Sequence, residues 1–242
     1  MAAADAAAQI ERLRLDYSRS TDRIEDLEFG PDPRSEDEMA TVVPDGYPKT
    51  YEVAWLATIS SVDPRQGWFL HELARLVEPR LVVELGTCVG ISASYLATGI
   101  GGSGGHVHSF EGGVARARVA EQTIASLGLD DSVTLHVGRH EDAVHSTIPG
   151  LGPIDLGFVD SDHVGQRTVA YFDALRPLLA PTGIIVFDDI DWSAAMGRAW
   201  TEIRSRFEEG SAVRRWHSFG LWIGSEQHWE EAGCESLLSL PR

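Results

Sequence analysis

A doubly wound α/β fold, with a seven-stranded and mostly parallel sheet, is what this 242-residue sequence predicts. Three observations carry that expectation. From Arg80 onward, short apolar runs alternate five times with stretches of helical period. The first run, Leu81-Val82-Val83, ends in Glu84-Leu85-Gly86, and the pattern turns helical from Gly90. That is a buried strand, a tight turn and a helix start. The last two apolar runs lie too close together for a crossover helix, so they form an antiparallel hairpin at one edge.

Each element follows from its own pattern. Residues 5–28 carry Ile10, Leu13, Tyr17, Ile24 and Leu27 at helical spacing and read as one amphipathic helix, lying on the core, on a partner subunit or over the site as a lid. Residues 30–51, with Pro31, Pro33, Pro44, Pro48 and many acids, read as a loop or linker. A short helix is expected over 51–61. A clearer one opens at Gly67, with Phe69, Leu70, Leu73, Ala74 and Val77 on one face, closed by Pro79. Parallel strands are then expected at 80–85, 106–111, 133–138, 154–160 and 183–189. Helices are expected at 90–99, 114–127, 141–148, 165–179 and 193–209. The hairpin strands fall at 212–218 and 220–225, joined at Phe219-Gly220. Residues 1–66 are thus an N-terminal helical and loop extension, a substrate cap or dimer contact, and 67–242 are the α/β domain.

Composition narrows the function. The net charge of −17 excludes the basic surface that nucleic acid or an anionic membrane requires. Hydrophobic residues make up 43% and charged residues 24%, ordinary values for a soluble globular chain. Lysine chemistry would fall to Lys49 alone. Two cysteines, Cys88 and Cys234, make no disulfide framework, which fits a reducing cytoplasm. No apolar run is long enough to span a membrane, and the alanine-rich start lacks the layout of a signal peptide.

The first strand-to-helix turn is where such sheets hold nucleotide-like ligands. Glycine lets the backbone bend and a ligand come close, and the free N–H groups of the new helix favour an anionic group. Glu84 adds a fixed acceptor at the strand end. Glu111 closes the second strand 25 positions after Gly86, where an acid accepts hydrogen bonds from both hydroxyls of a ribose. The dinucleotide fingerprint lacks its intermediate glycine here. The plain structural alternative is that Gly86 and Gly90 only let strand and helix pack closely.

The stretches ELGTCVGIS, HSFEGG, VTLHVGRHED, IDLGFVDSDH and GIIVFDDIDW together resemble the class I S-adenosylmethionine-dependent methyltransferases, whose sheet is Rossmann-like. More closely they are similar to the metal-dependent O-methyltransferases of the catechol and caffeoyl-coenzyme A type, over residues 67–225. The resemblance implies that Glu84, Gly86, Thr87, Gly90 and Ser92 surround the methionine part of S-adenosyl-L-methionine. It implies that Glu111 holds the ribose, that His140 and Glu141 lie by the adenine, and that Asp160 borders the cofactor.

Carboxylates at two strand ends carry the expected chemistry. The fourth strand ends in Asp160-Ser161-Asp162-His163 and the fifth in Asp188-Asp189. In a parallel sheet these ends are neighbours, so Asp160, Asp188 and Asp189 converge. Three such groups raise one another's pKa unless a cation lies among them, and oxygen-only ligands suit Mg²⁺, Mn²⁺ or Ca²⁺. The alternative is that Asp188 and Asp189 cap the next helix or face solvent. In the catechol-type family the matching positions are Asp, Asp and Asn. The third aspartate resembles instead the sugar and antibiotic-tailoring O-methyltransferases. The family's frequent lysine base is replaced by His163, a residue type suited to act as a base at neutral pH; Asp162 is the competing base.

The expected activity is therefore divalent-metal-dependent O-methylation of a small-molecule hydroxyl, a phenol or the sugar of a natural product. The alternatives are N- or C-methylation, a nucleotide-dependent oxidoreductase, and a cofactor-binding protein without catalysis. Trp192 walls the substrate pocket or belongs to the core. The edge strands and the N-terminal helix point to a homodimer.

Overall fold

The computed structural model describes residues 3–30, 43, 45–206 and 208–241. The chain opens with helix α1 (Ala3–Ser18), the antiparallel strands β1 (Arg23–Glu28) and β2 (Tyr47–Glu52), and helices α2 (Val53–Thr58) and α3 (Pro64–Val77). The alternating part follows as β3 (Leu81–Leu85), α4 (Ile91–Ile100), β4 (His106–Glu111), α5 (Val114–Ser126), β5 (Val133–Val137) and α6 (His140–Ala143). It continues with β6 (Ile154–Val159), α7 (Gly165–Leu175), β7 (Leu179–Phe187) and α8 (Ala194–Ser205). Strands β8 (Ala212–Trp216) and β9 (Phe219–Ile223) and helix α9 (Glu226–Glu231) close the fold.

The large sheet has seven strands in the order β5-β4-β3-β6-β7-β9-β8. Strands β3 to β7 pair in parallel, and β9 runs antiparallel to both β7 and β8. Alternate residues of each strand feed two different cores. Val82, Val107, Phe158 and Val186 pack with Phe69 and Leu70 of α3, Leu96 of α4 and Ile124 of α5. Val83, Phe110, Val159 and Phe187 pack with Phe172 of α7 and Ile203 of α8. Both faces of the sheet are therefore covered, which is why its central strands β3, β6 and β7 are mostly apolar. The chain winds outward from β3 to β5 and restarts at β6, so the crevice opens beyond the carboxyl ends of β3 and β6.

Several boundaries differ from the sequence reading for identifiable reasons. The helix expected over 5–28 stops at Ser18. Ile24 and Leu27 belong to β1, where burial alternates with period two. Their spacing of three fits a helix equally well, and only the pairing with β2 decides between them. Of the expected loop, residues 31–42 and 44 lie outside the described residues, and 47–51 are strand. The helix opening at Gly67 begins at Pro64, because Asp63 caps it and Gln66 completes a capping box. The helix expected over 141–148 is cut to α6, followed by a 3-10 turn at Ile148–Gly150. Helix α7 ends at Leu175 ahead of Pro177, so β7 starts at Leu179 rather than at residue 183. The hairpin turns at His217-Ser218, not at Phe219-Gly220, since Trp216 pairs with Phe219. Among the described residues no helix is long and apolar enough to cross a membrane.

Candidate active site

The site begins with the turn after β3. Gly86 has φ +106, and a Cβ on it would stand 1.7 Å from the carbonyl oxygen of Asp160. Only glycine allows the β3 turn to touch the end of β6 in this way. A cleft of about 770 Å³, counted with the solvent-open space at its mouth, lies beyond these ends.

The structure brings Gly86, Glu111, His140, Glu141, Asp160, Asp162 and His163 to the cleft wall. Glu111 is buried; its Oε1 accepts from Gly113 N (2.7 Å) and Arg116 Nε (2.9 Å), and its Oε2 accepts from Cys88 N (2.8 Å). His140 Nε2 donates to the Phe110 carbonyl (3.1 Å). Glu141 pairs with Arg167 (2.6 Å). Burial works to raise the Glu141 pKa, but its own backbone N–H and Arg167 outweigh this and hold it below the usual carboxylate range.

Glu84, Thr87, Gly90 and Ser92 do not line the cleft; they are buried around the turn. Glu84 accepts from the Ser109 hydroxyl through Oε2, and the Thr87 hydroxyl pairs with the same serine. Glu84 Oε1 has no hydrogen-bond partner among the described residues. Burial pushes the Glu84 carboxyl up to about 7. Glu84 thus stands behind the cleft wall as a buried acceptor with one unfilled oxygen, and not on the wall where the sequence reading put it.

The other half of the site is a crowd of acids. Burial, together with Asp188 and Asp189, raises the Asp160 pKa well above the usual range. Asp188 is pushed up to about 7 by burial and by Asp189. Its Oδ1 accepts from Ser218 Oγ (2.8 Å), Gln66 Nε2 (3.2 Å) and Asp189 N (2.6 Å). Burial raises Asp189 too, against the pull of His163. His163 Nε2 lies 3.6 Å from Asp160 Oδ1 and 3.8 Å from Asp189 Oδ2. Carboxylates that raise one another's pKa in this way have the donor chemistry for a hard divalent cation. Among the described residues, no three His, Cys, Asp or Glu side chains already stand as a metal-ligating group. The fit is thus one of charge and oxygen donors, with Asp188 Oδ1 held by its own hydrogen bonds.

The two candidate bases differ in their partners. Asp162 is bound by Arg167 (2.5 Å) and accepts from Val164 N (3.2 Å). His163 faces Asp160, Asp189 and the ring of Trp192, 6.3 Å away between centroids. Trp192 is 65% exposed, so it stands beside the site and outside the core. Three non-glycine residues at these strand ends, Cys88, His163 and Asp189, have φ of 51, 52 and 52, the left-handed region. Strained backbone of this kind gathers at functional sites. Cys88 is no nucleophile: burial and the Glu111 charge push its thiol up to about 12. Lys49 lies on β2, paired with Glu28 at 3.3 Å.

The sequence reading missed Arg116, Arg167, Gln66 and Ser218. A signal existed for the arginines. Glu111 and Asp162 each follow a strand, and each has an arginine five positions on, in the first turn of the next helix.

Comparison with known proteins bears on the same region. The methyltransferase domain family matches residues 83–190. A catechol O-methyltransferase of Niastella koreensis is 32% identical over 131 residues, which is 54% of this chain and 58% of that protein. A catechol O-methyltransferase of Mycobacterium tuberculosis is 36% identical over 132 residues, covering 54% and 57%. The chain thus spans less than two thirds of the length of these relatives. The crystal structure of the O-methyltransferase TomG from Streptomyces achromogenes, involved in tomaymycin synthesis and bound to S-adenosylmethionine, aligns with a TM-score of 0.61. Its identity is 25%, over 68% of this chain and 82% of that one. None of these supports the oxidoreductase alternative. Sheet order, domain match and relatives agree: the fold is the Rossmann-like one of methyltransferases, and the chain is similar to these enzymes over residues 83–190.

Proposed function

We propose that this chain is an S-adenosylmethionine-dependent O-methyltransferase that uses Mg²⁺, or Mn²⁺ or Ca²⁺, to methylate a small-molecule hydroxyl, on a phenol or on the sugar of a natural product. The observation that carries the reading is His163 between Asp160 and Asp189, with Asp188 close enough to raise the Asp160 pKa, beside a cleft that holds Glu111. The O-methyltransferases among its relatives support it.

The bound cofactor would supply an electrophilic methyl group on sulfur. A divalent cation would be held by Asp160, Asp188 and Asp189 and would supply positive charge that eases deprotonation of the acceptor. The remaining work falls to the chain. Glu111, its Oε1 fixed by Arg116 and Gly113, orients the ribose through Oε2. His163 Nε2 takes the acceptor's proton, and Asp160 and Asp189 stabilise the resulting imidazolium. Trp192 gives the acceptor a flat apolar wall beside His163. Holding the acceptor oxygen and the methyl group in line supplies much of the rate. Residues 28–30, Tyr51, Trp55, Leu56 and Ser60, ahead of the α/β part, form part of the cleft wall.

The test is calorimetric titration of S-adenosylhomocysteine into chelator-treated protein, repeated with Mg²⁺ and with Asp188→Ala, followed by methyl transfer to panels of phenols and sugars. The expected result is binding without metal, a separate Mg²⁺ signal lost in Asp188→Ala, and methylated hydroxyls in at least one panel. Cofactor binding with transfer only to nitrogen or carbon acceptors would replace O-methylation with those reactions. Binding with no transfer at all would leave a cofactor-binding protein.

A further inference from the structure

Residues 27–30, which leave β1, lie against the loops that follow three different strands. The Leu27 carbonyl accepts from Arg116 Nη2 (3.1 Å), at the start of α5 beyond β4. The Phe29 ring packs beside Gly112, and its centroid lies 5.6 Å from the Arg139 guanidinium beyond β5. The Phe29 carbonyl accepts from Arg167 Nη1 (2.7 Å), on α7 beyond β6. Glu28, Phe29 and Gly30 accordingly form part of the cleft wall. Behind this strap, Asp26 accepts from Arg116 N (2.9 Å), and the Tyr51 ring of β2 lies 5.0 Å from the Arg116 guanidinium.

Both arginines that fasten the strap also hold a carboxylate of the cleft. Arg116 donates to Glu111 (2.9 Å), and Arg167 pairs with Glu141 (2.6 Å) and Asp162 (2.5 Å). A guanidinium has a rigid fork of donors, so turning it to release a carbonyl also moves the donors given to the acid. Arg116 is buried, so losing either partner is costly.

We propose that the 27–30 strap is a wall of the cofactor pocket, and that Arg116 and Arg167 are positioning residues which make closure of the strap and orientation of Glu111 and Glu141 a single event. The cofactor then enters and leaves past an open strap, while Glu111 and Glu141 are loosened. A bound adenosyl ligand, by engaging Glu111, steadies Arg116 and holds the strap down. This rests on the adenosyl-cofactor reading above.

The test uses the full chain and S-adenosylhomocysteine as probe. Affinity is measured by calorimetry for the wild type, Asp26→Ala, Arg116→Met and Arg167→Met. Hydrogen exchange of the 23–30 amides is followed with and without the ligand. Asp26 is not on the cleft wall, so Asp26→Ala undocks the strap without removing a ligand contact. The expected result is a loss of about tenfold in affinity for Asp26→Ala and more for the arginine variants. Ligand should slow exchange at 23–30 in the wild type and lose that effect in the variants. A brace that serves only the fold would lower thermal stability while leaving the ligand-dependent change in exchange intact. Unchanged affinity in Asp26→Ala, or exchange at 23–30 indifferent to bound ligand, overturns the proposal even if the arginine variants fail to fold. No binding to the wild type overturns it together with the cofactor reading, and the blank titration tells the two failures apart.

Discussion

The two halves of the cleft treat negative charge in opposite ways. On the β4 and β5 side, Glu111 and Glu141 are answered by Arg116 and Arg167 from within the chain. On the β6 and β7 side, Asp160, Asp188 and Asp189 have hydroxyl, amide and imidazole neighbours but, among the described residues, no arginine or lysine paired with them, and all three are raised in pKa. A compensated carboxylate is a fixed acceptor, ready for a neutral hydroxyl. An uncompensated cluster stores unfavourable charge that an incoming cation relieves.

The comparison is tested hardest by Asp160→Asn beside Glu111→Gln. Asp160→Asn should lower methyl-transfer kcat/KM by about a thousandfold while moving S-adenosylhomocysteine affinity less than about threefold. Glu111→Gln should weaken that affinity by about ten- to a hundredfold, because a charge-assisted hydrogen bond is lost. Turnover assays and calorimetry on the two variants read this directly; equal losses in both quantities would erase the distinction. Where the halves touch, Gly86→Ala should cost about 3 kcal/mol in urea unfolding, since its Cβ would meet the Asp160 carbonyl.

A smaller effect concerns pH. Asp188 has a folded pKa of about 7, above its unfolded value, so the folded state binds more protons between those values. Its contribution to stability is therefore present in acid and lost as pH rises through about 7. Asp188→Asn should flatten the fall in melting temperature between pH 5 and 8, and Mg²⁺ should offset that fall in the wild type only. The smallest expected effect lies away from the cleft. His108 hydrogen-bonds His136 (2.9 Å), and burial plus the charges of His106 and His136 lower it to about 4. Its stability contribution has the opposite sign: it is present above the unfolded histidine pKa and lost as pH falls toward 4. His108→Gln removes this proton-linked loss and should lower the pH midpoint of acid unfolding, as followed by circular dichroism.

What the sequence made legible follows the same division. The alternating runs fix the order of strands from Leu81 to Phe187, because both faces of a parallel sheet must be apolar. The acids at strand ends are equally plain: a charge after a buried run must point into a crevice. The N-terminal hairpin was not legible. Ile24 and Leu27 fit a helix until β2 pairs with β1, and that pairing is long-range. The roles of Gln66 and Ser218 stayed hidden for the same reason, since they meet Asp188 across 122 and 30 residues. Arg116 and Arg167 lay between these extremes. Their spacing from Glu111 and Asp162 is local, but their grip on the strap is not.

The left-handed backbone at Cys88, His163 and Asp189 has a consequence for any attempt to make this protein more robust. A side chain in that conformation costs about 1 kcal/mol that glycine would not incur. A screen for thermal tolerance would therefore be drawn to positions 88, 163 and 189. Two of these three are the proposed base and one of the acids proposed to hold the cation. Hardiness selected there would come at the expense of turnover, so a screen that also scores methyl transfer should leave 163 and 189 untouched and find its improvements elsewhere.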